Sequence, residues 1–366
     1  MRILIIHPFL TYYGGAELVI VRLARYLRER RGHHVRILTL SVSGEMRKEF
    51  NVPIFSSEKN FDSGFLGIIR QINTLNTNIE RIEDSFDVIN IHNFPAELAL
   101  REIKTPSVWY CNEPPTFWLN PDAKFQIPHK ILLWYEKRFV RQYIKKACVA
   151  DRYNAERFIK RYKLKPEIVP YGVDYEFFSK GDAKKANELY KLWDKFVVLQ
   201  VGMLTPYKNQ MRSIQAIERL MDKIPEIRLI LAGKGNNSYD KQLEEYIRRK
   251  KLPVTFLGNI KREVLRDLYA ASNVLIHPVK PQGGWLTPFE CLCTGTPVIV
   301  SPEFSASETI KKEGLGFVTD NYEDAIISLY KNGYGKNKEG KMFVKKNLTW
   351  ERFGERMEKI FEEVIK

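Results

Sequence analysis

The stretch Ile3-Leu4-Ile5-Ile6, the loop His7 to Gly15, and the run Ala16-Glu17-Leu18-Val19-Ile20-Val21-Arg22-Leu23-Ala24 decide how this chain folds. Ile3 to Ile6 is a continuous apolar run, the pattern of a strand buried on both faces. His7 to Gly15 is a loop carrying glycines and aromatics. From Ala16 the apolar spacing becomes helical, with Ala16, Ile20, Leu23, Ala24 and Leu27 on one face. Gly32 ends that helix, and Val35-Arg36-Ile37-Leu38 forms the next strand. Strand, loop, helix and strand make a βαβ unit. Its first loop lies at the carboxyl edge of the sheet, where open α/β sheets bind their ligands.

The same alternation continues outward. Val88-Ile89-Asn90-Ile91, Ser107-Val108-Trp109-Tyr110 and Ala147-Cys148-Val149-Ala150 read as strands with helical stretches between them. That order predicts one parallel sheet in the first half. Pro166 to Phe178, with Pro166, Pro170 and Gly172, reads as a boundary. A second α/β series follows. Phe196 to Val201 ends at Gly202, and Arg228 to Ala232 ends at Gly233. Val254 to Leu257, Val274 to Ile276 and Pro297 to Val300 complete it. The final helix, Trp350 to Ile365, carries Phe353, Met357, Ile360, Phe361 and Val364 on one face, a stripe that must be buried somewhere. The reading is α/β with two domains, 1–168 and 169–349, and the helix of about 350–366 can belong to either half.

Composition agrees with a globular chain of two domains, since 366 residues exceed one ordinary domain. Lys and Arg number 59 against 44 Asp and Glu, a net charge of +15, which predicts an anionic partner. The four cysteines are too few for a disulfide scaffold. Cys291 and Cys293 lack the further ligands a zinc site wants, so no metal is expected. The opening residues do not resemble a signal peptide, and no apolar run reaches membrane-spanning length. The expected location is the cytoplasm, or the cytoplasmic face of a membrane.

Three loops carry candidate chemistry. Gly14-Gly15-Ala16-Glu17 stands at a helix start, where glycines admit a phosphate and free N–H groups favour an anion. A tight turn with Glu17 serving the helix dipole reads the same residues equally well. Gly202 to Asn209 follows a strand in the same way and places Lys208 where its ammonium can meet a phosphate; Gly233-Lys234-Gly235 follows the next strand. The most specific segment is Gln282-Gly283-Gly284-Trp285-Leu286-Thr287-Pro288-Phe289-Glu290. There a glycine loop enters a short helix whose amides suit a diphosphate and whose carboxylate, Glu290, suits ribose hydroxyls. Gly295 and Pro297 then stop the helix before a strand.

Taken together, these segments resemble the retaining GT-B glycosyltransferases of family four. Gly14 to Glu17 with Arg31-Gly32-His33-His34-Val35 is similar to that family's amino-terminal motif. Pro170-Tyr171-Gly172-Val173-Asp174 is similar to its interdomain P-N-G-V-D, and Gln282 to Val300 to its E-x7-E region and the G-x-P-V-I that follows. The resemblance implies two Rossmann-like domains with parallel sheets facing across a cleft. The acceptor lies mostly on the first domain and the donor on the second, and the last helix crosses back to the first. It further implies metal-free transfer with retention of configuration, and no cofactor beyond a nucleotide-sugar donor. The implied donor residues are Gly14, Gly15, Gly202, Lys208, Gly233, Gln282, Gly283, Gly284, Trp285, Leu286, Thr287 and Glu290. Lys208, Glu290 and Asn112 carry the catalytic roles, with Glu113 beside Asn112 as a further positioning candidate.

Four positions depart from the pattern. Met203 stands where the family usually has arginine, Gln282 where it has the first glutamate, Trp285 where it has glycine, and Asn112 where it often has histidine. Met203 removes a fixed charge from the expected diphosphate site, and Asn112 cannot shuttle a proton near neutral pH. Three readings follow: an unusual donor, such as a non-nucleotide sugar phosphate; replacement of these groups from elsewhere; or a sugar-binding pseudoenzyme. Residues 129–146 interleave cations with Ile131, Leu132, Leu133, Trp134, Tyr135 and Phe139, which suits an anionic membrane surface or a lipid-linked acceptor as well as a core helix with a basic outer face. Nucleic acid is not expected as a partner, because no recognition motif accompanies the charge. The expected partners are a nucleotide-sugar donor and a glycan or lipid-linked acceptor.

Overall fold

The computed structural model describes every residue except 12–13, 58–60, 62–63, 113–125, 236–237, 281–284 and 334. The chain divides into two compact units: Met1–Gly172 with Trp350–Lys366, and Val173–Thr349.

The first unit is built on a seven-stranded sheet. Its order is Ile54–Ser56, His34–Thr39, Arg2–Ile6, Val88–His92, Ser107–Tyr110, Lys146–Val149 and Glu167–Ile168. All pairings are parallel. Ile3 to Ile6 have no exposed surface, which is why that strand reads as an unbroken apolar run. It lies between His34–Thr39 and Val88–His92, so the sheet grows first to one side and then to the other. The crevice at the carboxyl ends of Arg2–Ile6 and Val88–His92 is therefore the switch point of this sheet.

The unit extends four residues past the expected boundary at 168, for a local reason. Val169 N–H donates to the Val149 carbonyl at 2.8 Å, and the Tyr110 hydroxyl donates to the Val169 carbonyl at 2.7 Å. Helix Trp350–Ile365 packs in this unit and buries Phe353, Met357, Ile360 and Phe361. Gly354 lies under Tyr26 so closely that a Cβ there would sit 2.2 Å from the ring. Glu358 accepts from Arg31 Nε at 2.7 Å and meets His33 Nε2 at 2.6 Å.

The second unit carries a six-stranded parallel sheet. Its order is Val254–Gly258, Ile227–Ala232, Phe196–Val201, Val274–His277, Val298–Val300 and Phe317–Val318. Its switch point lies between Phe196–Val201 and Val274–His277. Ile54–Ser56, Glu167–Ile168 and Phe317–Val318 have no counterpart in the sequence reading. They are edge strands of two or three residues, none of them buried, so no apolar run marks them.

Candidate functional site

In the second unit, three loops meet at the switch-point edge. Gly202 leaves the central strand with φ +144°, a conformation that favours glycine. A Cβ on Gly233 would fall 1.9 Å from the Gly202 carbonyl oxygen, so the two loops touch backbone to backbone. The Gly202 amide donates to Ala232 at 2.9 Å and the Gly233 amide to Gly258 at 2.8 Å. Both glycines stand among the residues that the resemblance implies for the donor site. Their amides are bonded within the protein, and their lack of side chains lets the two loops pack closely. Leu204 N–H to the Lys234 carbonyl, 3.0 Å, and Lys280 N–H to the Tyr207 carbonyl, 2.8 Å, stitch the neighbouring loops to this one.

That framework carries Lys208. Gln200, rising from the central strand, donates Nε2 to the Lys208 carbonyl at 2.7 Å and accepts from the Ser213 hydroxyl at 2.6 Å. The Lys208 stem passes over Gly202, and its ammonium lies 5.4 Å from the centre of the Tyr207 ring. Lys208 is buried, and burial alone pulls its ammonium down to about 8. No carboxylate among the described residues pairs with it. A buried cation without a counter-charge is a seat for an anion. Met203, in the same loop, is 56% exposed and brings no charge.

Glu290 stands on helix Leu286–Leu292, opened by the half-buried Leu286 and Thr287 with no side-chain cap. Its carboxylate accepts from the Tyr269 hydroxyl at 3.2 Å. Part of the residue still reaches solvent, yet the packed surroundings are the largest influence on its carboxyl. They push it up to about 7 against the opposing effects of Arg262 and Tyr269. Phe178, at the end of the stretch beginning Val173-Asp174, packs edge-on against Tyr269 at 5.8 Å, and Asp174 pairs with Arg262 at 3.4 Å. The interdomain motif thus buttresses the tyrosine that holds Glu290. Trp285 is buried against Phe289, with ring centres 4.4 Å apart. Gln282, Gly283 and Gly284 lie outside the described residues, as does Glu113.

In the first unit, Gly14 precedes helix Gly15–Arg25 with no side-chain cap of its own. The buried Glu17 carboxylate, raised chiefly by burial, accepts from the amides of Gly14 and Glu17. That is one half of a capping box, and it meets amides that the anion reading of Gly14 and Gly15 required. Asn112 sits at the other feature of this edge. Its Nδ2 donates to Asn93 Oδ1 at 2.5 Å, and its Oδ1 accepts from the Tyr171 hydroxyl at 2.7 Å. Asn93 Nδ2 in turn lies 2.9 Å from His7 Nε2. Sequence reasoning missed His7, Asn93 and Tyr171. The available signal was position: His7 directly follows the first strand and Asn93 directly follows Val88–His92, at the switch point.

Among the described residues, no group of three or more His, Cys, Asp or Glu could hold a metal ion. All four cysteines are buried, and none is in a disulfide.

Comparison with known proteins gives this arrangement its class. The Glycosyltransferase Family 4 model matches residues 13–177 and the Glycosyl transferases group 1 model residues 183–347. The Anabaena HepE structure with UDP and glucose superposes with a TM-score of 0.79 at 19% identity, covering 99% of this chain and 100% of that one. WaaG, a glycosyltransferase involved in lipopolysaccharide biosynthesis, gives 0.76 at 17% identity, covering 99% of each chain. Fold and matches together define the class of the GT-B glycosyltransferases. Within it, the first half of the chain carries the family 4 domain and the second half the group 1 domain. A GDP-mannose-dependent alpha-(1-6)-phosphatidylinositol dimannoside mannosyltransferase of Mycobacterium tuberculosis is 30% identical over 162 residues. That match spans 43% of this chain and 41% of the relative, less than half of its length.

Proposed function

We propose that the chain transfers a sugar from a nucleoside-diphosphate donor to a glycan or lipid-linked acceptor, with retention of configuration and without a metal. The observation that carries this reading is Lys208, buried and uncompensated at the carboxyl end of the central strand of the second sheet. The ammonium neutralises charge that grows on the departing phosphate, an interaction worth most where water is excluded. The acceptor hydroxyl attacks from the face the phosphate leaves, and the departing phosphate oxygen takes its proton. Glu290 accepts hydrogen bonds from ribose hydroxyls. Asn112 orients a hydroxyl of the sugar or acceptor through its amide, which neither gives nor takes a proton near neutral pH.

The relatives support this chemistry. HepE was solved with UDP and glucose, and the mycobacterial relative is GDP-mannose-dependent and acts on a phosphatidylinositol dimannoside. The lipid-linked acceptor accords with the outer face of helix Gln126–Tyr143, where Ile131 and Trp134 are exposed beside Lys130 and Arg138. We propose that this face rests on anionic lipid. Among the described residues, no helix is long and apolar enough to cross a membrane.

The deciding experiment is a thermal-unfolding screen against UDP, GDP, ADP and their sugars. A ligand at 100 times its Kd adds about 2.7 kcal/mol, a readable rise in Tm. One nucleotide family should stabilise the protein, and its sugar should turn over with EDTA present and with the anomeric configuration kept. Silence from every nucleotide would overturn the nucleotide-donor reading. Binding without turnover would leave a sugar-nucleotide-binding protein in its place.

A further inference from the structure

At the switch point of the first sheet, four polar side chains form one hydrogen-bonded chain, and the mechanism above uses only one of them. His7 is buried, and burial pulls its imidazole down to about 4, so the ring is neutral at working pH. Its Nδ1 is enclosed without a hydrogen bond of good geometry, and the Phe9 backbone is the one nearby influence that favours a proton on the ring. Asn93 Nδ2 faces Nε2 at 2.9 Å, so Nε2 accepts and the ring proton sits on Nδ1. The consequence runs down the chain. With its Nδ2 turned to His7, Asn93 points Oδ1 at Asn112. Asn112 must then donate Nδ2 to that oxygen, which leaves its own Oδ1 for the Tyr171 hydroxyl. Asn93 is held at φ 56°, in the left-handed region that asparagine tolerates better than most residues. Tyr171 packs at 5.5 Å on Tyr110, whose own hydroxyl is tied to Val169.

A primary amide has two N–H donors and two lone pairs. Among the described residues Asn112 uses one of each, and it remains partly exposed. We infer that His7, Asn93 and Tyr171 are positioning residues that lock the Asn112 amide in one orientation, so that its second N–H meets an oxygen of the bound sugar or acceptor. The inference rests on the proposed role of Asn112 in transfer. It also accounts for asparagine where the resemblance leads one to expect histidine: the locked amide donates without titrating.

A double-mutant cycle tests it, with kcat and donor Kd read separately and thermal unfolding confirming each fold. Tyr171→Phe should lower kcat by about ten- to a hundredfold, the loss expected for a misaligned group, while donor Kd stays within about twofold. Combined with Asn112→Ala, it should cost no more than Asn112→Ala alone, because the two act as one unit. His7→Gln, which keeps an acceptor near the Nε2 position, should retain most of kcat, whereas His7→Leu should lose it. Additive losses for Tyr171 and Asn112, or a His7→Leu enzyme as fast as the parent, would overturn the inference and leave the transferase reading standing. An Asn112→Ala enzyme that turns over normally would remove the reading itself.

Discussion

At the scale of single residues, the two groups proposed to hold the donor titrate in opposite senses. Lys208 binds an anion only when protonated, and burial has brought its ammonium down to about 8. Glu290 accepts ribose hydroxyls best when ionised, and burial has raised its carboxyl to about 7. Affinity for a nucleoside-diphosphate sugar, whose diester phosphates do not titrate in this range, should therefore rise through about pH 7 and fall through about pH 8. Titration calorimetry from about pH 5.5 to about 9.5 should trace a narrow bell. Glu290→Gln should flatten the acid limb and Lys208→Gln the alkaline one. A flat profile in the parent protein would refute both assignments. The unliganded protein gives a second sign. The folded Lys208 ammonium lies below its unfolded value, so its cost to stability is full below about pH 8. That cost fades as pH rises toward the ordinary lysine range.

At the scale of elements, the C-terminal helix shows how much a sequence hides. Its apolar stripe was legible from the spacing of Phe353, Met357, Ile360 and Phe361, because amphipathicity is a local pattern. The resemblance implied the domain that receives it, but the residues it meets there were not legible. Tyr26, Arg31 and His33 lie more than 320 residues away from the helix residues they meet. We predict that Gly354→Val, which drives methyl groups into the Tyr26 ring, destabilises the protein by about 1–3 kcal/mol in denaturant unfolding. An unchanged midpoint would show that the helix contributes nothing to stability. Burial alone would raise the Glu358 carboxyl, but its bonds from Arg31 and His33 outweigh that and hold it below the ordinary range. Its contribution is therefore complete above the ordinary carboxylate range and is lost as pH falls through its folded value. The glycine loops teach the converse. Gly202 and Gly233 were legible as special positions, but a sequence cannot say whether a missing side chain admits a phosphate or another backbone. Here Gly233 admits the carbonyl of Gly202.

At the scale of the whole molecule, a net charge of +15 is the feature that composition gives most directly, and it needs the structure to become a surface. Helix Gln126–Tyr143 turns Leu132, Leu133, Phe139 and Val140 inward. With them goes Glu136, which is bonded to Arg161 and the Tyr162 hydroxyl. Ile131, Trp134 and Tyr135 remain outside, 58%, 62% and 43% exposed, and the Arg138 guanidinium lies 6.0 Å from the Trp134 ring. Two cations that the sequence assigned to this face have other work. Lys146 pairs with Glu167 at 3.1 Å and Glu363 at 3.5 Å, and Arg141 donates to the Tyr162 carbonyl at 2.7 Å. Lipid contact should accordingly depend on Lys130, Arg138 and Trp134. Each basic residue near an anionic leaflet contributes about 1 kcal/mol, so Lys130→Glu with Arg138→Glu should weaken binding to phosphatidylserine vesicles by at least about tenfold. The charge-dependent part should shrink with added salt, whereas the loss from Trp134→Ala should persist, because its source is apolar burial. Co-sedimentation equal across parent and variants would return this face to an ordinary solvated helix.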